Sequence, residues 1–264
     1  MFKSLYRMHR NEDRIQPEAV LTGKGVFVML LIFLSEQLAA QGISALITLF
    51  DLPLGVMEVN LIVNGGAMLL MFFFFGGFFI ENLKSFFREF KAIYVWLPLT
   101  CYFCSTMANV MIQVMLAFVR GEFQNTSNNA LVIELINKYP LQLLLLTVLI
   151  APITEEAVFR AAFCRPMTAS GKGWLTVLGF VISILLFSFF HIYQFAFFEA
   201  DPSGAVHLTF NFNEFLSILV YIPMSVGLAL CSFFGRNYWC SVVCHMLTNA
   251  IAVFMIIAAG NLVK

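Results

Sequence analysis

Apolar residues in this chain do not alternate with polar ones but run in long blocks. Seven blocks, at about 26–50, 59–80, 92–119, 141–163, 174–198, 215–234 and 239–261, are separated by shorter segments that hold most of the charge. A helix needs about 20 mainly apolar residues to cross a bilayer. In hydrocarbon the backbone has no water to bond, so a spanning block must close its hydrogen bonds on itself as a helix. The pattern therefore predicts an all-α polytopic transmembrane bundle of about seven spans. The first block is interrupted by Glu36, Gln37 and Gln41, which are expected to face protein rather than lipid. The second holds Gly65, Gly66, Gly76 and Gly77, small residues expected to let neighbouring helices approach. Between Arg120 and Pro140 a polar start gives way to Ala130–Ile136, expected as a short interfacial helix. Asp201-Pro202-Ser203-Gly204 reads as a turn.

Composition sharpens this reading. Of 264 residues, 61% are hydrophobic and 11% charged, above the apolar share of about 45–50% usual for soluble domains, and the mean hydropathy is +0.88. Fifteen Lys and Arg balance fifteen Asp and Glu, so no basic surface argues for a nucleic-acid partner. The six cysteines lie in or beside apolar blocks, without the spacing of a secreted disulfide framework, and are expected to be small apolar fillers. The same holds for the Cys101-Tyr-Phe-Cys104 pair, which has no second pair to complete a metal site.

Charge in the flanks sets the orientation. The head carries Lys3, Arg7, Arg10, Arg14 and Lys24; Lys84, Arg88, Lys91, Arg165, Lys172 and Arg236 fall on the same side, eleven cations against Arg120, Lys138 and Lys264 opposite. The excess of Lys and Arg marks the cytosolic side, so the N-terminus is expected to be cytosolic. The chain reads as a basic cytosolic segment (1–25), N-terminal helices with their loops (26–139) and a helical core bearing the chemistry (140–261). It is expected to be a multi-pass protein, with the cell membrane as its location and membrane lipid as its surroundings.

One block carries ionisable groups at depth: Ile150-Ala-Pro-Ile-Thr-Glu155-Glu156-Ala-Val-Phe-Arg160. Each costs roughly 2.5–3.5 kcal/mol at a span centre, which favours a pairing or a function. Glu156 and Arg160 are i and i+4 on one face, acid first, and can pair within the helix. Glu155 points about 100° away from Glu156 and lacks that partner. An unpaired buried carboxylate is a candidate general base. Packing alone is the competing explanation: a buried ion pair locking helices, with Glu155 satisfied by a neighbour. Two other blocks offer a polar focus each, Phe187-Ser-Phe-Phe-His191 and His245-Met-Leu-Thr-Asn249. Peptide hydrolysis needs a base for water and donors for the developing oxyanion, and these side chains are complementary in those roles. Along straight helices, Glu155 and His245 fall in the cytosolic half. His191, 17 residues after Trp174 or about 25 Å of helix, does not. Convergence requires its helix to be tilted, projecting or broken. His9 and His207 are expected to be solvated bystanders.

Taken in order, Glu155-Glu156-Ala-Val-Phe-Arg160 (EExxxR), Phe187 to His191 (FxxxH) and His245 to Asn249 (HxxxN) resemble the motifs of the CPBP intramembrane proteases, also called the Abi or CAAX-protease-2-like family. The resemblance covers about 140–258. It implies that Glu155 and His191 activate the attacking water, that His245 and Asn249 stabilise the oxyanion, and that Glu156, Arg160 and Phe187 support the site. The implied substrate is a lipidated or hydrophobic peptide, either a prenylated CAAX segment or a bacteriocin or signalling peptide, cut near the cytosolic face. The resemblance fits a glutamate-dependent reaction with no cofactor. It also leaves open zinc held by Glu155, His191 and His245. Two non-peptidase readings compete: an immunity or regulatory protein that binds a peptide in the same cavity, and a transporter, for which no duplicated polar motif is visible.

Overall fold

The computed structural model describes residues 4–9, 18–50, 53–88, 90–200 and 206–262. Long helices dominate: α1 (Gly23–Phe50), α2 (Val56–Arg88) and α3 (Ile93–Arg120), a shorter α4 (Ser127–Lys138), α5 (Pro140–Thr168), α6 (Gly173–Phe190), the short α7 (Tyr193–Phe197), α8 (Phe212–Gly235) and α9 (Tyr238–Leu262). Among the described residues, six of these are long and apolar enough to cross a membrane: α2, α3, α5, α6, α8 and α9. Large apolar side chains such as Phe118, Leu38 and Met111 are more than two-thirds exposed on the outside of the bundle, as a lipid-facing surface requires. The chain is an integral, multi-pass membrane protein of all-α class.

Two antiparallel hairpins decorate the bundle. The first pairs β1 (Tyr6–His9) with β2 (Glu18–Leu21) and the second pairs β3 (Phe198–Ala200) with β4 (Val206–Leu208). The head is thus partly packed instead of being a solvated tail. Val20 and Leu21 are buried, and Glu18 bonds the buried Arg165 of α5. His9 lies half-buried on β1 and His207 is exposed on β4. The Asp201–Gly204 turn and the side chain of Gln41 lie outside the described residues.

Local chemistry explains most boundaries. Gly121 ends α3 in the left-handed region, φ 82°, where a residue without Cβ is unstrained. Thr126 caps α4 by accepting from the Asn129 amide, and this helix is the one expected at 130–136, three residues longer at its start and two at its end. The span expected at 174–198 stops at Phe190: a turn at His191 and Ile192 breaks it, and α7 follows. Helix α5 contains two π-helical stretches, Leu145–Ile150 and Ala157–Cys164. Each closes on the residue before a proline, with Ala151 N–H bonding Leu146 O and Arg165 N–H bonding Arg160 O. Pro152 and Pro166 have no N–H, and each ring crowds the carbonyl four residues back, so the preceding turn widens.

Helices α3 and α8 pack along each other, α1 along α2, and α5 against α6 and α9. The glycines that serve close approach are not those expected on α2. A Cβ added at Gly65, Gly66 or Gly76 would meet nothing within 4 Å; at Gly77 it would meet Tyr6 of β1 rather than a helix. The tight helix contacts fall at Gly179, whose Cβ would lie 3.1 Å from Phe163 O, and at Gly227, 3.4 Å from Cys101 O.

The six cysteines are free thiols; five are buried, and Cys104 is exposed.

Candidate active site

Helix α5 presents its two adjacent acids to opposite surroundings. Glu156 and Arg160 have no exposed surface and form an ion pair, Nη1 to Oε1 3.1 Å. Arg160 Nη2 also donates to Ser225 O at 3.0 Å and to Ser225 Oγ at 2.9 Å on α8. Its guanidinium carbon lies 4.4 Å over the Phe187 ring, within the range of a cation–π contact. The i, i+4 pairing expected from spacing is therefore present, and a second helix completes it. Breaking such a buried pair from one side costs about 3–5 kcal/mol, because the remaining charge stays buried.

Glu155 faces the other way, into a cavity of about 690 Å³. Its side chain keeps 25% of its surface accessible, while Oε2 is buried without a hydrogen-bond partner among the described residues. The nearest cationic candidate is His245 Nε2, at 3.9 Å. His191 and Asn249 line the same cavity, so Glu155, His191, His245 and Asn249 share one space although they come from three helices. Phe187 is the common packing partner: its ring centroid lies 4.4 Å from that of His191 and 5.7 Å from that of His245.

The hydrogen bonds define which atom of each group is available. His191 Nδ1 lies 2.8 Å from Phe187 O one turn back. A carbonyl only accepts, so Nδ1 carries the proton, and neutral His191 offers the Nε2 lone pair as a base. The break in the chain at residue 191 leaves this ring at the end of α6, turned into the cavity. His245 Nδ1 lies 3.0 Å from Glu156 Oε1, so it too donates on that side. Nε2 of His245 then becomes a donor only when the ring carries both protons. Asn249 Nδ2 donates to Thr147 O at 2.8 Å, which holds the amide in place and leaves its second N–H.

Motif spacing does not reveal the rest of the lining. Glu36, 8% exposed with its Oε2 buried and unpartnered among the described residues, reaches the cavity from α1 together with Gln37. Gln37 accepts from Tyr193 OH at 3.0 Å. Both face protein, as their position in an apolar block required. Asn109 and Gln113 contribute from α3, Asn128 and Asn129 from the start of α4, and Tyr221 from α8. Asn109 and Gln113 are i and i+4 in an apolar block; that spacing is the signal that marks them.

Among the described residues, no three His, Cys, Asp or Glu side chains form a group that could hold a metal ion. His245 engages Glu156 through Nδ1 and turns Nε2 towards Glu155.

No curated protein and no solved structure matches the chain. Residues 137–251 match the family of type II CAAX prenyl endopeptidases described as Rce1-like. The match takes in α5 to α8 and α9 as far as Ile251, and leaves α1 to α3 outside. The segment that holds every one of the motif residues is thus similar to the Rce1-like type II CAAX prenyl endopeptidases.

Proposed function

We propose that the protein hydrolyses a peptide bond of a hydrophobic or lipidated peptide, with Glu155 and His191 activating the water and His245 and Asn249 binding the oxyanion. The observation that carries this reading is the shared cavity of these four side chains, with neither Glu155 Oε2 nor His191 Nε2 hydrogen-bonded among the described residues. A water held between them gives its proton to Glu155, and its oxygen attacks the carbonyl carbon. As the tetrahedral intermediate forms, doubly protonated His245 and the free N–H of Asn249 donate to the oxygen that gains charge. The C–N bond then breaks, and the proton held by Glu155 passes to the leaving amine. A positioned base contributes about 10²–10⁴-fold to such a step and one oxyanion donor about 10²–10³-fold.

Glu156 and Arg160 act one step removed. Glu156 holds the His245 ring in place, and Arg160, itself held by Ser225, holds Glu156. The apolar remainder of the cavity, including Phe33, Phe159, Phe190 and Met224, accommodates an apolar side chain or lipid, in keeping with the CAAX-type substrates that the family's name denotes. The test is cleavage of candidate peptides by purified protein in detergent, comparing wild type, Glu155→Ala and His191→Ala, each with and without a chelator. Loss in both variants and persistence with chelator is expected. Equal cleavage by all three proteins removes the proposal; loss with chelator alone makes a metal part of it.

A further inference from the structure

Of the four side chains that share the cavity, only His191 stands at the end of a helix. Glu155 lies within α5, and His245 and Asn249 lie within α9, whereas the chain turns at His191 and Ile192 before α7 begins. The Nδ1 bond to Phe187 O anchors one atom and leaves the ring free to pivot about it. A base that pivots loses the alignment from which catalysis draws much of its gain.

Two aromatic rings set the plane of this imidazole. One is Phe187 of the same helix, its centroid 4.4 Å away and its plane tilted by 38°. The other is Tyr221 of α8, which no motif contains, with its centroid 4.8 Å away and its plane tilted by 33°. Aromatic pairs at such separations attract beyond the area they bury. Tyr221 is half-buried and lines the cavity, so it borders the same space as the ring it supports.

Tyr221 is in turn tied to a third element. Its hydroxyl shares a hydrogen bond of 2.9 Å with Thr126 Oγ1. Thr126 is 3% exposed and caps α4, where the same oxygen accepts from Asn129 N–H at 3.2 Å. Two further bonds hold this corner to the start of α8: Ser127 Oγ donates to Glu214 Oε1, and Arg120 Nη2, at the end of α3, donates to Ser217 Oγ at 3.0 Å. Around Thr126, the side chains of Asn125, Asn128 and Asn129 form a carboxamide wall on the cavity. A continuous chain of contacts therefore runs from that wall through Thr126 and Tyr221 to His191.

Resting on the peptidase reading above, we infer that Tyr221 is a positioning residue of the reaction: its ring holds the His191 imidazole at the angle at which Nε2 meets the water, and its hydroxyl ties that angle to the corner of α4 that lines the cavity. Tyr221 exchanges no proton in this role. Variants of the full chain, purified in detergent with a melting curve for each, separate ring from hydroxyl. Tyr221→Leu removes both, and kcat is expected to fall by at least about tenfold with KM little changed. Tyr221→Phe restores the ring and is expected to recover all but about a threefold loss, the share of one hydrogen bond. Thr126→Val is expected to cause the same loss of kcat in the wild-type background and no further loss in Tyr221→Phe, because both changes remove one bond. The cap that Thr126→Val also removes lowers the melting temperature equally in both backgrounds.

A second readout is independent of turnover. Acylation of His191 by diethyl pyrocarbonate, followed at that residue by mass spectrometry, is expected to be at least about twofold faster in Tyr221→Leu, the effect of losing one aromatic contact, and near the wild-type rate in Tyr221→Phe. Wild-type kcat and acylation in folded Tyr221→Leu overturn the inference, as does a Tyr221→Phe no better than Tyr221→Leu. If Tyr221→Leu does not fold, the cycle of Thr126→Val with Tyr221→Phe decides: additive losses overturn the inference and a shared loss supports it. Failure of the wild-type protein to cut any peptide refutes the peptidase reading instead, and the acylation rates still decide whether Tyr221 holds the ring.

Discussion

Two sides of one helix turn differ more than any other neighbouring regions of this protein. On one side Glu156, Arg160, Ser225 and His245 form a dry, closed network in which the acid is held from two directions. On the other, one residue earlier, Glu155 opens onto a cavity of about 690 Å³ with a carboxyl oxygen that has no hydrogen-bond partner among the described residues. The closed side shows how a charge is tolerated in hydrocarbon, by pairing it and spending its hydrogen bonds. The open side shows what a reaction centre needs: a group left unpaired because the substrate and its water complete it.

This contrast is most directly broken at Glu155. Replacing it by Ala is expected to lower kcat by about 10²–10⁴-fold with thermal unfolding in detergent little changed, since its Oε2 has no hydrogen bond among the described residues to lose; steady-state cleavage together with a melting curve reads both. The opposite signature is expected for Arg160→Ala. Leaving Glu156 charged and buried without its guanidinium partner costs about 3–5 kcal/mol, seen as a large drop in melting temperature or loss of folded yield. Replacing the pair together, Glu156→Leu with Arg160→Met, is expected to recover most of that stability but not the activity, because His245 loses the acceptor that holds its ring.

Smaller effects sharpen the division of labour. Asn249→Ala is expected to lower kcat by about 10²–10³-fold with KM little altered, the pattern of a donor used only in the transition state. Asn249→Asp, which keeps the shape but puts an acceptor beside the developing oxyanion, is expected to be at least as damaging. The smallest effect belongs to Glu36→Gln. The amide fills the same space and removes the second acid from the cavity, so kcat/KM is expected to change by less than about tenfold. A loss as deep as that of Glu155→Ala would place Glu36 on the open side as a partner in proton transfer.

The two ends of the bundle repeat the theme on a larger scale. The end at which the N-terminal hairpin packs is closed, with Arg165 tied to Glu18 and Ser232 O. The other end is amide-rich, with Asn125, Asn128 and Asn129 lining the cavity. The chemistry was expected near the cytosolic face because helix positions were counted along straight rods; His191 did not fit that count. The break after Phe190 and the wide turns of α5 bring His191 to the same cavity as Glu155 and His245.

Much was legible without coordinates, for a physical reason. A bilayer demands long apolar helices, so their number and approximate limits are written in composition alone, and a charge at depth stands out against that background. Glu155, Glu156, Arg160, His191, His245 and Asn249 were therefore visible as residues, and the Glu156–Arg160 pair as a contact, because i and i+4 is local geometry. What local spacing does not encode is how helices distant in sequence meet. The His245–Glu156 bond, the Ser225 clasp on Arg160, the approach of Glu36 from α1 and the carboxamide wall all depend on the packing of separate helices and on kinks set by Pro152 and Pro166. Only the tertiary structure decides these, since each joins groups from different spans whose rotation and depth follow from side-chain packing rather than from the apolar length that placed them in the membrane.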